Sequence, residues 1–345
     1  MLFGEQICLY KKAEKETQKK MKLKEKAKDN SLVQKFEIEK DLDSAKINII
    51  KDDKKEILRI YYIKNLSEQA FRQYGTYFLQ SFNIKESNTI VPENFMNNHK
   101  ISSFIRSKMV DWMLEIFYVF QSNEETFLAS IELMDKFFYH YKKRKLINED
   151  IHLIGITCIF IASKIYDLIP IQLHHIIHDI GNDKFSSKTI LNMERRIIKT
   201  INFDIFSLNS FELIRFLIYD FYVNNKDKFK ALNAYKFIDI LTNTSIWIYK
   251  MCKHYEEYSS VPPIFLTVSC LLIAYDIMSD NCDDFNGKIK KFFRQWLSFL
   301  FNGIGKKDKG KENIEIIYKK IQNTFNNHRT SSFRNLIIYQ ELYFR

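Results

Sequence analysis

LIGITCIFIASK, residues 153–164, runs from Leu153 to Ala162 without a charged side chain and then ends in Ser163-Lys164. It is apolar on every side rather than along one stripe, which suits a helix wrapped by other helices at the centre of a bundle. Such runs are longer than strands usually are, and the chain has only 8 Gly and 4 Pro, so the expected class is all-α. A second run, Ser269 to Ala274, aligns with Thr157 to Ala162 at a constant offset of 112 residues. The order of helices around each run is also repeated. We read this as a tandem duplication of one five-helix unit.

Outward from residue 153, apolar periodicity predicts helices at about 101–121, 124–142, 149–165, 171–179 and 186–200. Asn123, Asn148-Glu149 and Ser186-Ser187 supply cap-type residues near three of the starts. The second set is expected at about 209–224, 228–252, 260–278, 286–300 and 312–327, its central helix opening at Pro262-Pro263. Upstream, Phe71, Tyr74, Phe78 and Phe82 mark a further helix within residues 67–82. The expected organisation is a basic tail (1–64), a helix plus first fold (66–205), a second fold (206–327) and an apolar tail (328–345) that docks somewhere.

Four charges interrupt the apolar faces of the first unit. Arg106 continues the stripe of Met109, Met113, Ile116 and Phe120. Asp135 sits in the register of Leu128, Ile131 and Phe138, and Glu194 lies beside Met193 in the run Ile190, Ile197, Ile201. Lys164 is the fourth. Charges on buried faces are costly unless paired or hydrogen-bonded, so these four imply an internal ion pair or a partner-facing site.

The 345 residues are 46% hydrophobic with 30 Phe and 19 Tyr, which excludes a disordered chain. Five scattered cysteines without a C-x-x-C pair fit reduced thiols and argue against a structural zinc. The longest apolar segment, Ile264 to Met278, carries Asp276 and is too short for a bilayer, so we expect a soluble, intracellular protein with no membrane partner. The net charge of +11 would suit an acidic partner or nucleic acid, but it is dispersed. Residues 11–30, KKAEKETQKKMKLKEKAKDN, read either as a solvated tail or as a nuclear localisation signal.

Residues 93–205 resemble the cyclin box, and the second unit is similar to the C-terminal cyclin fold. The resemblance rests on ordered blocks: Glu93-Asn94-Phe95-Met96 before Ile101, Arg106 to Glu115, Glu125 to Phe137, Leu153 to Lys164, Leu191 to Glu194, and Ile201 to Ile205. It implies tandem five-helix cyclin folds. It implies too that Arg106 and Asp135 form an internal ion pair, and that Lys164 and Glu194, with Leu153 and Asp167, contact a cyclin-dependent kinase. A substrate-docking patch would comprise Ile105, Met109, Trp112, Glu115 and His152. Two departures stand out: Tyr166 replaces one of two usual acids after Lys164, and Lys108 replaces an apolar residue beside Trp112.

Other constellations carry less. His174 and His178 lie one turn apart without a third ligand, and the Gly303–Lys311 segment lacks the strand and spacing of a phosphate loop. Lys311-Glu312-Asn313 matches a degron of the anaphase-promoting ubiquitin ligase. The expectation is a non-catalytic regulatory subunit, without cofactor, in a heterodimer with a cyclin-dependent kinase in nucleus and cytoplasm. It would act in the cell cycle, with an A/B-like lean from the Glu93–Met96 block, and kinase substrates and a ubiquitin ligase would be further partners. Nucleic acid is not an expected partner. The alternatives are a nucleic-acid-binding transcription factor with tandem cyclin folds, and a cyclin-fold scaffold that binds no kinase.

Overall fold

The computed structural model describes residues 90–206, 210–225, 234–281, 293, 295–296 and 309–328, all within one unit, Glu68–Arg345. The basic tail, the helix at 67–82, most of the helix expected at 286–300 and the apolar tail beyond 328 lie outside the described residues.

The first helical set is α1 (Ser103–Phe120), α2 (Glu124–His140), α3 (Asp150–Tyr166), a short α4 (Leu173–His175) and α5 (Ser187–Thr200). The second comprises α6 (Ser210–Asn225), α7 (Ala234–His254), α8 (Pro263–Asn281) and α9 (Lys309–His328). Among the described residues there is no strand; Lys100 and Ile147 form an isolated parallel bridge. α3 buries Ile154 to Ser163 continuously, and α2, α1 and α5 pack around it. In the second set α7, α9 and α6 surround α8 in the same way. The apolar-all-round runs are therefore the two centres, as their composition requires.

Packing of α1 on α3 depends on Gly155. A Cβ there would lie 1.9 Å from Cε of Met109, so the absent side chain is what lets the two helices approach. Before α1, the chain lays Val91, Phe95, Met96 and Ile101 into the core. His99 ties this segment down, with Nε2 donating to the Phe138 carbonyl (2.7 Å) and Nδ1 accepting from Leu146 N–H (3.3 Å).

Helix ends differ from the sequence expectation in informative ways. Ser186 does cap α5, accepting from Thr189 N–H at 3.2 Å. Asn123, by contrast, makes no side-chain cap. Asp167, from beyond α3, instead accepts from Asn123 N–H (2.8 Å) and the Thr126 hydroxyl (2.6 Å). At the start of α3, Asp150 rather than Asn148 or Glu149 accepts the Ile147 N–H, and Arg144 pairs with its carboxylate. At α2 a carboxylate brought in by tertiary structure satisfies the orphan amide, so the local cap side chain is not needed there. The segment expected as a helix at 171–179 is one α-turn, Leu173–His175, continued as a π-helical turn, Ile176–Ile180. It closes with Gly181 N–H donating to the Ile176 carbonyl at 2.9 Å.

Arg106 and Asp135 meet inside this frame. The guanidinium donates from Nε and Nη2 to the two carboxylate oxygens at 2.8 and 2.7 Å, with both side chains nearly inaccessible. Nη1 also donates to the carbonyls of Lys253 (3.2 Å) and His254 (3.1 Å) at the end of α7. The Ser259 hydroxyl completes Asp135 at 2.7 Å. Removing one partner of such a pair strands a buried charge, at a cost of about 3–5 kcal/mol. Asp135→Ala should therefore lower the urea-unfolding free energy by that amount; a loss under 1 kcal/mol would show that the α7 carbonyls alone satisfy Arg106.

Candidate partner-binding site

Lys164 lies in the last turn of α3, where a cation faces favourably the negative end of the helix dipole. Glu194 lies mid-way along α5, on the flank of the buried stripe Ile190, Met193, Ile197. α3 packs on α5, and so residues 30 positions apart in sequence converge: Lys164 Nζ bonds Glu194 Oε1. The ammonium also sits over the Phe160 ring, 4.0 Å from its centroid. The lysine side chain is 38% exposed and the glutamate 14%, so the pair forms a rim rather than a core contact. An ion pair this open contributes only about 0.2–1 kcal/mol. It can thus be re-aimed toward a partner's backbone, where hydrogen bonds to charged groups contribute about 1.5–3 kcal/mol each.

The other residues named with this pair occupy different places. Asp167 lies in the loop just beyond α3, but one oxygen is engaged in capping α2. Leu153 is about three turns, roughly 16 Å, back along α3 and does not join the rim. Tyr166 stands half-buried between Lys164 and Asp167, with its carbonyl accepting from Asn123 at 3.5 Å.

Periodicity did not reveal a second component of the rim. Leu168 and Ile169, directly after α3, are 99% and 82% exposed. Pro170 disfavours helix for the residue before it, so Ile169 cannot continue α3 and turn inward. The signal was an apolar pair placed between a helix end and a proline. Ser163 anchors the loop's far side, its hydroxyl accepting from Ile171 N–H at 2.7 Å.

The residues of the expected docking patch cluster on α1 and the start of α3. Trp112 and His152 make an edge-on contact at 5.1 Å, and His152 continues to Phe185 at 5.6 Å. Ile105 and Glu115 are half-buried on the same helix, whereas Met109 is buried against Gly155. Lys108 lies over Phe104, 5.5 Å from the ring centroid.

Among the described residues no group of three or more His, Cys, Asp or Glu side chains could hold a metal, and no helix is long and apolar enough to cross a membrane. His175 and His178 instead pair with Asp179 and Asp183. Residues 311–313 fall in the first turn of α9.

Burial, and secondarily the charge of Lys184, pushes His152 down from 6.5 to about 4. The folded state therefore holds this ring neutral where the unfolded chain would protonate it. That contribution is complete above about pH 6.5 and is lost as pH falls through about 4. His152→Phe keeps the ring contacts and removes the titration. The thermal midpoint of the variant should fall less between pH 7 and 4 than that of the native chain; equal falls would rule out His152 as a source of acid sensitivity.

Residues 78–206 match the family described as cyclin, N-terminal domain. Curated relatives include Cyclin-B2-3 of Arabidopsis thaliana, 25% identical over 60% of this chain and 46% of that protein. G1/S-specific cyclin-E1 of Rattus norvegicus is 27% identical over 41% of this chain and 34% of its own length. G2/mitotic-specific cyclin-A of Patella vulgata is 30% identical over 30% and 24%, respectively. The chain thus spans less than half the length of these relatives. A viral cyclin from herpesvirus saimiri superposes with a TM-score of 0.53 at 14% identity, covering 72% of this chain and 99% of the viral protein, and so shares its fold. Residues 78–206 are thus a cyclin N-terminal domain by their family match, set in a described core that is helical around two buried central helices and similar to relatives of A, B and E type.

Proposed function

We propose that the chain is a non-catalytic regulatory subunit that binds and activates a cyclin-dependent Ser/Thr protein kinase in the cell cycle. The observation that carries this reading is the convergence of Lys164 and Glu194, from two packed helices, on a half-exposed rim continued by Leu168 and Ile169. The ammonium has donors beyond the one directed at Glu194, and the carboxylate is an acceptor of several bonds. Together they can take the orphan carbonyls and amides near a helix end of the kinase. Leu168 and Ile169 supply apolar area that water leaves on contact.

Activation then follows from differential affinity. A kinase needs its C-helix glutamate paired with the ATP-site lysine and its activation segment ordered. A subunit that binds that arrangement better than the inactive one shifts the population toward it and needs no chemistry of its own. The relatives' names include both G1/S and G2/mitotic types, and the Glu93–Met96 block inclines our reading to the mitotic side. At the Trp112–His152 patch, Lys108 replaces an apolar residue and weakens the groove, so substrate docking there is left out of the proposal. Residence in nucleus and cytoplasm belongs to the same proposal.

Lys164→Ala with Glu194→Ala should weaken co-purification with the organism's cyclin-dependent kinases by about 3 kcal/mol, roughly a hundredfold. Both side chains are partly exposed, so the melting curve should hardly change. Undiminished kinase binding in the folded double variant would remove the pair from the interface. Failure of the native chain to stimulate any of those kinases would overturn the function itself.

A further inference from the structure

On the far flank of α5 from Glu194, five cations line one cleft of about 730 Å³: Lys142 and Lys143 from the exit of α2, and Arg195, Arg196 and Lys199 from α5. The two contributing segments are about fifty residues apart in sequence and are brought together by the fold. Arg195 and Lys199 are one turn apart, as are Arg196 and Lys199, and like charges at those spacings repel along a helix.

Several other cations of the first unit are neutralised by a carboxylate. Lys136 is held by Asp204 at 2.8 Å, Arg144 by Asp150 at 2.5 Å and Lys164 by Glu194. No described carboxylate lies within ion-pair distance of the five cations of the cleft. Two acids on neighbouring segments, Asp204 and Asp150, are already engaged. Asp204 takes Lys136, and Asp150 takes Arg144 and the Ile147 amide, with Arg196 only a weaker and more distant influence on its carboxyl. Lys142 lies over the Tyr139 ring at 5.2 Å. That ring contact leaves its charge uncompensated.

Uncompensated like charge gathered into a concavity focuses a positive potential and raises the local concentration of anions. A phosphate monoester carries about 1.5–2 negative charges, so five cations match two or three such groups rather than one. The arginines add planar forks suited to phosphate oxygens, and the lysines add mobile point charges. An open depression confined to two short segments, as opposed to a track along the surface, fits closely spaced phosphates better than a nucleic-acid backbone. We infer that the cleft between the exit of α2 and α5 is a binding site for a ligand bearing two or more closely spaced phosphate groups.

The site is separate from the proposed kinase rim. Around α5, Arg196 and Lys199 point roughly 140–160° away from Glu194. Occupation of one leaves the other open.

The test uses the full chain at constant ionic strength. Inorganic pyrophosphate is titrated calorimetrically in one arm. In the other, a peptide with two adjacent phosphoserines and its unphosphorylated form are titrated. Arg196→Ala with Lys199→Ala removes two cations from the cleft, and Lys184→Ala with Lys188→Ala removes two exposed cations elsewhere. We expect saturable binding that weakens at least tenfold in the cleft variant, survives in the control variant, and survives Lys164→Ala with Glu194→Ala. Binding of pyrophosphate supports the site with a free phosphate compound as ligand. Binding of the phosphorylated peptide alone supports it with a modified protein segment as ligand. No binding in either arm, an equal loss in the control variant, or preference for single-stranded oligonucleotide over both probes would overturn the inference.

Discussion

The guanidinium of Arg106 has no water to turn to, and the rest of the molecule is arranged around that constraint. Its five donors are answered by the carboxylate of Asp135, the carbonyls of Lys253 and His254 and the hydroxyl of Ser259. The carbonyls belong to the last turn of α7, where helical hydrogen bonding runs out and the helix dipole is negative. One cation therefore satisfies an acid in its own five-helix set and the open end of a helix in the other. The hydroxyl of Ser107, next in sequence, adds a bond to the His254 carbonyl at 2.6 Å. Any relative shift of α1, α2 and α7 would leave a charge unpaired in a low-dielectric interior, which is among the most costly defects a core can contain.

That lock is supported by less buried contacts along the same boundary. Glu124, at the start of α2, receives Arg215 from α6 and Lys250 from α7, each at 2.9 Å. Lys136 reaches Asp204 and so ties the exit of α5 to α2. With α2 and α5 placed in this way, α3 is enclosed, and Lys164 at its end faces Glu194 in one arrangement. The Arg106 and Lys164 pairs use the same chemistry at opposite degrees of burial. Full enclosure makes the first a structural requirement, while partial exposure leaves the second free to exchange partners at small cost.

Much of this is legible in the sequence. Helices α1, α2, α3 and α5 lie within two residues of the ranges expected from apolar spacing, because the spacing reports which side of a helix faces the core. Arg106, Asp135, Lys164 and Glu194 stood out as charges in apolar registers. The ends of the elements were less legible. Asn123 looks like a cap, yet Asp167 acts in its place, since an amide can be satisfied by any acceptor the fold delivers. Asp167 also holds the start of α2 through one carboxylate oxygen, a role its sequence position does not signal. The basic cleft was invisible, because Lys142–Lys143 and Arg195–Arg196 each read as ordinary solvated charge.

By itself the sequence determined the helical class, the two central helices and the four charges that could not be ordinary surface residues. These follow from local periodicity and from the free energy of burying a charge, neither of which needs coordinates. Only the tertiary structure decided which charge meets which, how far each is exposed and where unmatched charge accumulates. Arg106 and the Lys253 carbonyl are 147 residues apart in sequence and 3.2 Å apart in space. Electrostatic energy depends on that second distance and on the water excluded around it, and the packing of the helices sets both.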